Sequence, residues 1–188
     1  MKSKVELNEI KILINWLNRH IRSQIGTKPS PKIINIFKKN NWLYTGYGYR
    51  GIHWGSYYEP YTSPRGRFKI NDKYVVSKAF SSWTKNMKIA ASFAVVGAYD
   101  SFIIHNNPYL TLKQRICKRL KQYGGAGIIL KAYIRGGLDI DKAINNIEKN
   151  ELGNYLLQEL PILFESEVVV LKPIMSKVFR HYHPNLCD

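Results

Sequence analysis

Residues 163–171 read LFESEVVVL. Val168 to Leu171 form an apolar, β-branched run that predicts a buried strand. Glu165 and Glu167 stand just before it. Residues i and i+2 of a strand point to one face, so the spacing predicts two carboxylates side by side at the mouth of that strand. Like charges in one site raise each other's pKa, and such pairs concentrate at functional sites as well as in structural networks. The chain has only 13 acidic residues against 29 lysines and arginines. Placing two of the 13 together is therefore informative. Paired carboxylates suit cleavage at an anomeric carbon, where one stabilises an oxocarbenium-like state. A pair on one strand also fits a division of labour in which the neighbour serves the incoming nucleophile.

Working outward, 188 residues with 45% hydrophobic content suit one domain with its own core. We expect a single domain over 1–188, with a helical part at about 1–40 and a β core at about 42–180. No apolar run approaches the roughly 20 residues of a membrane span. The N-terminal stretch is broken by charges and lacks a signal-peptide core, so a cytoplasmic protein is expected. Cys117 and Cys187 are expected to be free thiols. The net charge of +16 speaks about partners: a polyanion or an acidic protein surface is expected, although basic surfaces also keep proteins soluble.

Residues 5–23 carry Ile10, Leu13, Ile14, Leu17 and Ile21 at helical spacing. Ser30-Pro31 predicts the cap and first residue of a helix reaching about Lys39. Residues 42–68 are dense in Tyr, Trp and Gly. They predict a strand near 42–45, then either a glycine-rich loop that lets backbone approach a ligand or an ordinary Tyr-rich hairpin. A strand is expected over 74–82 and a tightly packed helix over 84–96. Thr111 and Gln114 form a capping-box signature. The helix after it has an apolar stripe and a basic face of Lys113, Arg115, Lys118, Arg119 and Lys121, which is either a contact surface or a solvated one. A strand over about 126–134 and a short helix from about Asp141 follow, then an apolar segment near 152–157. The last strand is expected to end near Val178-Phe179, with His181 and His183 in a tail.

Three separated segments together resemble a known family. LFESEVVVLKPIMSKVFR resembles the Glu-x-Glu element of arginine-directed mono-ADP-ribosyltransferases, especially T-even phage enzymes that modify host RNA polymerase. AFSSWTKNMKIAASFA (79–94) is similar to the family's Ser-Thr-Ser strand end and following helix. Counting back from Phe93-Ala94 sets Ser82-Trp83-Thr84 on the triplet, with Trp83 and Thr84 departing from it. Ser82 and Thr84 also read as simple helix caps. Tyr49-Arg50-Gly51 resembles the aromatic-Arg-Gly element. Leu43-Tyr44-Thr45-Gly46 has similar flanks, but Thr45 could not pair with phosphates as a guanidinium does.

The resemblance covers about residues 42–180. It implies an α+β, ADP-ribosyltransferase-like fold of two packed, mainly antiparallel sheets around an NAD cleft, with helices at the N-terminus. NAD is the implied substrate, with no metal. The implied NAD-binding residues are Tyr49, Arg50, Gly51, Ser82, Thr84 and Phe93. Gly51 backbone groups would meet the nicotinamide amide, and Arg50 the phosphate side. Ser82 would orient Glu167, the catalytic carboxylate, and Glu165 would serve the acceptor guanidinium. Leu163-Phe164 would meet the target, an acidic or nucleic-acid-associated host protein such as RNA polymerase. The competing expectations are an NAD glycohydrolase and a basic nucleic-acid-binding module on the same fold.

Overall fold

A computed structural model describes residues 6–22, 26–54, 69–76, 78, 80–105, 107–123, 126–149, 166–182 and 187. The protein is α+β. The first helix, α1 (Leu7–Arg22), buries Ile10, Leu13, Ile14, Trp16 and Leu17 along one stripe. The side chain of Ile21 lies outside the described residues, as do residues 152–157 and 163–165. In α2 (Pro31–Lys39) the Ser30 hydroxyl accepts from the Ile33 amide, and Pro31 opens the helix as its sequence predicts.

Strand β1 (Leu43–Trp54) runs through the segment left open between a glycine-rich loop and a Tyr-rich hairpin, and decides for a strand. The reason is its partner. β4 (Ala126–Asp139) is antiparallel to it over the full length, from Leu43↔Leu138 to Trp54↔Ala126, with one irregularity at Tyr44/Thr45. The strand expected over 74–82 is two separate strands, β2 (Lys73–Val76) and β3 (Ser81–Thr84). Helix α3 (Met87–Val96) starts later than expected. Its cap is Asn86, whose Oδ1 accepts from the Lys88 amide at 2.9 Å. Ser82 and Thr84 are therefore strand residues, and the helix-cap reading of them is corrected.

After the short α4 (Ser101–Ile104) comes α5 (Leu112–Tyr123), opened by the expected capping box. Gln114 Oε1 accepts from the Thr111 amide at 2.7 Å, and Thr111 Oγ1 accepts from the Gln114 amide at 3.2 Å. Its basic face is narrower than expected. Arg115 is buried and donates to the His105 carbonyl, and Arg119 pairs with Asp100 at 2.9 Å. Helix α6 (Ile140–Ile147) is capped by Asp139. Strands β5 (Glu167–Val170) and β6 (Ile174–Tyr182) close the described chain; β6 continues past Phe179, so His181 is a strand residue, not part of a tail.

The expected pair of sheets is one hydrogen-bonded sheet, ordered β1-β3-β5-β4-β6-β2, with a further β1–β4 pairing. β1 and β4 thus close a ring through β3 and β5. β4 pairs with β1 along one edge and with β5 and β6 on the other, which joins what would otherwise be two layers. Inside the curl lie Trp83, Leu130, Ala132, Ile134, Val168 and Val170. Outside, α1, α2 and α6 cover Leu138 and Val169, while α3 and α5 cover Ile129 and Tyr182. The free-thiol expectation is also overturned. Cys117 on α5 is disulfide-bonded to Cys187, with Cα atoms 5.3 Å apart. That bond removes the inference from free thiols to a reducing compartment.

Candidate functional site

The three motif segments, far apart in the chain, fall on three adjacent strands. Tyr49 of β1 is opposite Thr84 of β3, and Thr84 is opposite Glu167 of β5. A single row across the sheet thus links them. Arg50, next to Tyr49, points into the curl, and its Nη1 donates to the Ser82 carbonyl at 2.6 Å. Burial lowers the Arg50 pKa, while Tyr74 and Glu167 act in the opposite sense. A guanidinium remains charged under such a shift. It is a fixed cation held against β3, and the Glu167 charge acts on it through space. Thr45 is exposed, on the register pair with Arg135. Arg50, not Thr45, therefore meets the Ser82 strand.

Glu167 opens β5, and its Oε1 lies 3.0 Å from His20 Nε2 on α1. The Thr27 amide donates to His20 Nδ1 at 2.8 Å. The Thr27 carbonyl lies 3.1 Å from the same nitrogen, so the ring's tautomer sets which of these contacts Nδ1 makes, while Nε2 faces Glu167. The His20 side chain is 3% exposed and that of Glu167 15%. Trp16 holds the histidine from one side, with ring centroids 5.1 Å apart. Gly26 comes so close on another side that a Cβ there would sit 2.7 Å from His20 Cε1. The sequence offered one sign of His20: at i+3 from Leu17 and i+4 from Trp16, it is a polar residue on an apolar helix stripe.

The expected Ser82–Glu167 contact gives way to this one. Ser82 is opposite Val169, two residues along from Glu167, and its carbonyl is engaged by Arg50. Thr84 is buried, and its hydroxyl accepts from the Asn86 amide at 3.0 Å, where the chain turns into α3. Phe93 sits on α3 against Gly51. Tyr49 turns its ring outward to Phe179, at 5.9 Å, and away from Arg50. Gly51 is required by α3: a Cβ there would run into the Ala90 carbonyl and lie 2.6 Å from the Ala94 amide nitrogen. On its β3 side, β1 is paired at Tyr49↔Thr84 alone among the described residues, so the backbone edge at Gly51 is not taken by that strand.

Glu165 lies outside the described residues. Two observations bear on the same-face premise for the pair. β5 begins at Glu167, and Ser166 has φ +49°, in the left-handed region. Alternation along a strand therefore does not extend back across Ser166. Among the described residues, no group of three His, Cys, Asp or Glu side chains could hold a metal ion, and no helix is long and apolar enough to cross a membrane. Comparison of the chain with protein-family models, with curated proteins and with solved structures finds no match.

What the geometry can do chemically follows from the groups. A half-buried cation projects from β1 into the curl, and a shielded carboxylate projects from β5, beyond β3, on the face that α1 covers. The cation suits phosphate oxygens. The carboxylate, held at one oxygen by a histidine, can accept from a hydroxyl or stabilise developing positive charge in a site of reduced polarity.

Proposed function

We propose that this protein is a mono-ADP-ribosyltransferase that moves ADP-ribose from NAD to an arginine of a host protein. The observation that carries this is the convergence of the Tyr49-Arg50-Gly51, Ser82-Trp83-Thr84 and Glu167 segments on adjoining strands β1, β3 and β5. In this reading Arg50 holds the NAD phosphates, and the open edge at Gly51 receives the nicotinamide amide. Glu167 accepts from a hydroxyl of the nicotinamide ribose. As the bond from C1′ to the nicotinamide nitrogen breaks, its electron pair leaves with nicotinamide, neutralising the pyridinium. Glu167 stabilises the oxocarbenium that remains. A guanidinium nitrogen of the acceptor forms the new bond to C1′, and Glu165 takes the displaced proton. The acceptor is an acidic or nucleic-acid-associated protein, with host RNA polymerase as the first candidate, and the work is done in the host cytoplasm.

The test is transfer of labelled ADP-ribose from NAD to proteins of a bacterial lysate. The wild type should label discrete protein bands. Glu167→Gln should lower NAD cleavage by about 10²–10³-fold or more, the range for removing one transition-state electrostatic contact. Glu165→Ala should abolish protein labelling while leaving slow NAD cleavage. Free ADP-ribose with no labelled protein would replace this reading by a glycohydrolase. No NAD turnover by the wild type in an acceptor-rich lysate sinks it.

A further inference from the structure

The outer side of β1, β4 and β6 is covered by α3 and α5 at one end only. Between that end and the α1, α2 and α6 cover over Leu138, the sheet carries exposed rings. Tyr47 and Tyr133 are direct cross-strand partners there, 55% and 50% exposed, with ring centroids 5.3 Å apart at an interplanar angle of 81°. Two large aromatic rings standing on an open sheet are unusual unless something stacks on them.

The charges beside them are more telling. Lys131 is opposite Lys177, and Lys177 is opposite Lys73. Three lysines therefore stand in one cross-strand row, spanning two strand spacings, roughly 10 Å. Like charges directly opposite each other destabilise a sheet. No carboxylate of a described residue pairs with any of the three. Lys131 instead sits 4.3 Å from the Tyr47 ring centroid, and Arg135 sits 5.7 Å from that of Tyr133. These contacts orient the cations beside the rings, and no carboxylate among the described residues neutralises them. The lysine row and the tyrosine pair share one surface, on a chain of net charge +16.

We infer that this open face binds single-stranded nucleic acid, with Tyr47 and Tyr133 stacking bases and Lys131, Lys177, Lys73 and Arg135 meeting phosphates. Duplex is the poorer fit, because its base faces are already stacked on each other. An acidic protein would use the lysines and has no need of the exposed rings. The row runs on from Lys131 through Tyr49 and Thr84 to Glu167, but none of the proposed rings or cations bonds to Glu167, and binding is read without NAD.

The test is fluorescence anisotropy with oligouridine and oligothymidine of about twelve nucleotides, within the range of known single-strand sites, beside a duplex of the same length. Binding of either strand, or both, should be at least tenfold tighter than binding of the duplex. The double variant Tyr47→Ala/Tyr133→Ala should weaken it by tenfold or more. Lys131→Ala and Lys177→Ala should each lower the slope of log affinity against log salt by about 0.7. Circular dichroism and urea midpoints checked on each variant separate lost binding from lost folding. No binding at low salt, equal affinity for duplex, an unchanged double variant, or equal displacement by polyglutamate overturns the inference. Loss of binding in Lys113→Ala or Lys118→Ala, with the sheet variants unaffected, does so too and moves the contact to α5.

Discussion

Strands β1 and β4 carry two kinds of outer surface within a few residues of each other. At one end Gly51, Gly127 and Ile129 lie beneath α3. Farther along, Tyr47 and Tyr133 are exposed, with Lys131 half-buried beside the Tyr47 ring. The two parts belong to one ladder, with glycines where α3 meets it and large rings where it does not. The missing Cβ atoms let a helix backbone come into contact, and the large rings beyond leave no such seat. One half of the sheet is spent on stability and the other is left available to a partner.

That contrast can be broken by substitution. Gly51→Ala sets a Cβ against the backbone of α3, which cannot move aside as a side chain would. It should destabilise the fold by about 3 kcal/mol or more, read as a lowered urea midpoint. Tyr133→Ala, in the open half, should change stability by less than about 1 kcal/mol. Equal losses at the two positions would erase the distinction.

The helices over the covered half are themselves tied down. Cys117 of α5 joins Cys187 across a separation of 70 residues. Cys117→Ser should lower stability by about 2–4 kcal/mol, chiefly by freeing the unfolded chain. Addition of a thiol reductant to the wild type should reproduce the shift in the same unfolding measurement.

A subtler effect belongs to the other covered face, where α1 delivers His20 to Glu167. His20→Phe keeps the ring volume and loses the donor. It should lower NAD cleavage by about 10- to 100-fold through a misplaced carboxylate. His20→Gln, which retains a donor, should recover part of that loss. Equal activity in both variants would make His20 a packing residue only.

Much of this architecture was legible along the chain. The cap at Ser30-Pro31 and the Thr111/Gln114 box are local hydrogen-bond patterns, and local patterns survive folding unchanged. The Val168–Val170 strand was legible because three β-branched residues in succession suit a strand buried on both faces. The glycines of β1 left a loop and a hairpin equally open. Gly46, Gly48 and Gly51 fit either until β4 pairs with them, and β4 lies some 80 residues downstream in the register Gly51↔Ile129. The thiols misled for a like reason, since a contact across 70 residues leaves no local trace. His20 was legible only as a polar residue on an apolar stripe, with no hint of its partner 147 residues away.

The residue types of the site, the order of its three motifs, the starts of α2 and α5 and the excess of positive charge are written in neighbouring residues or in composition. Tertiary structure alone decided that β1, β3 and β5 would lie side by side, that His20 would hold Glu167, and that three lysines would meet in one row. Those depend on strand register and helix docking, which sum many weak contacts between residues far apart in the chain.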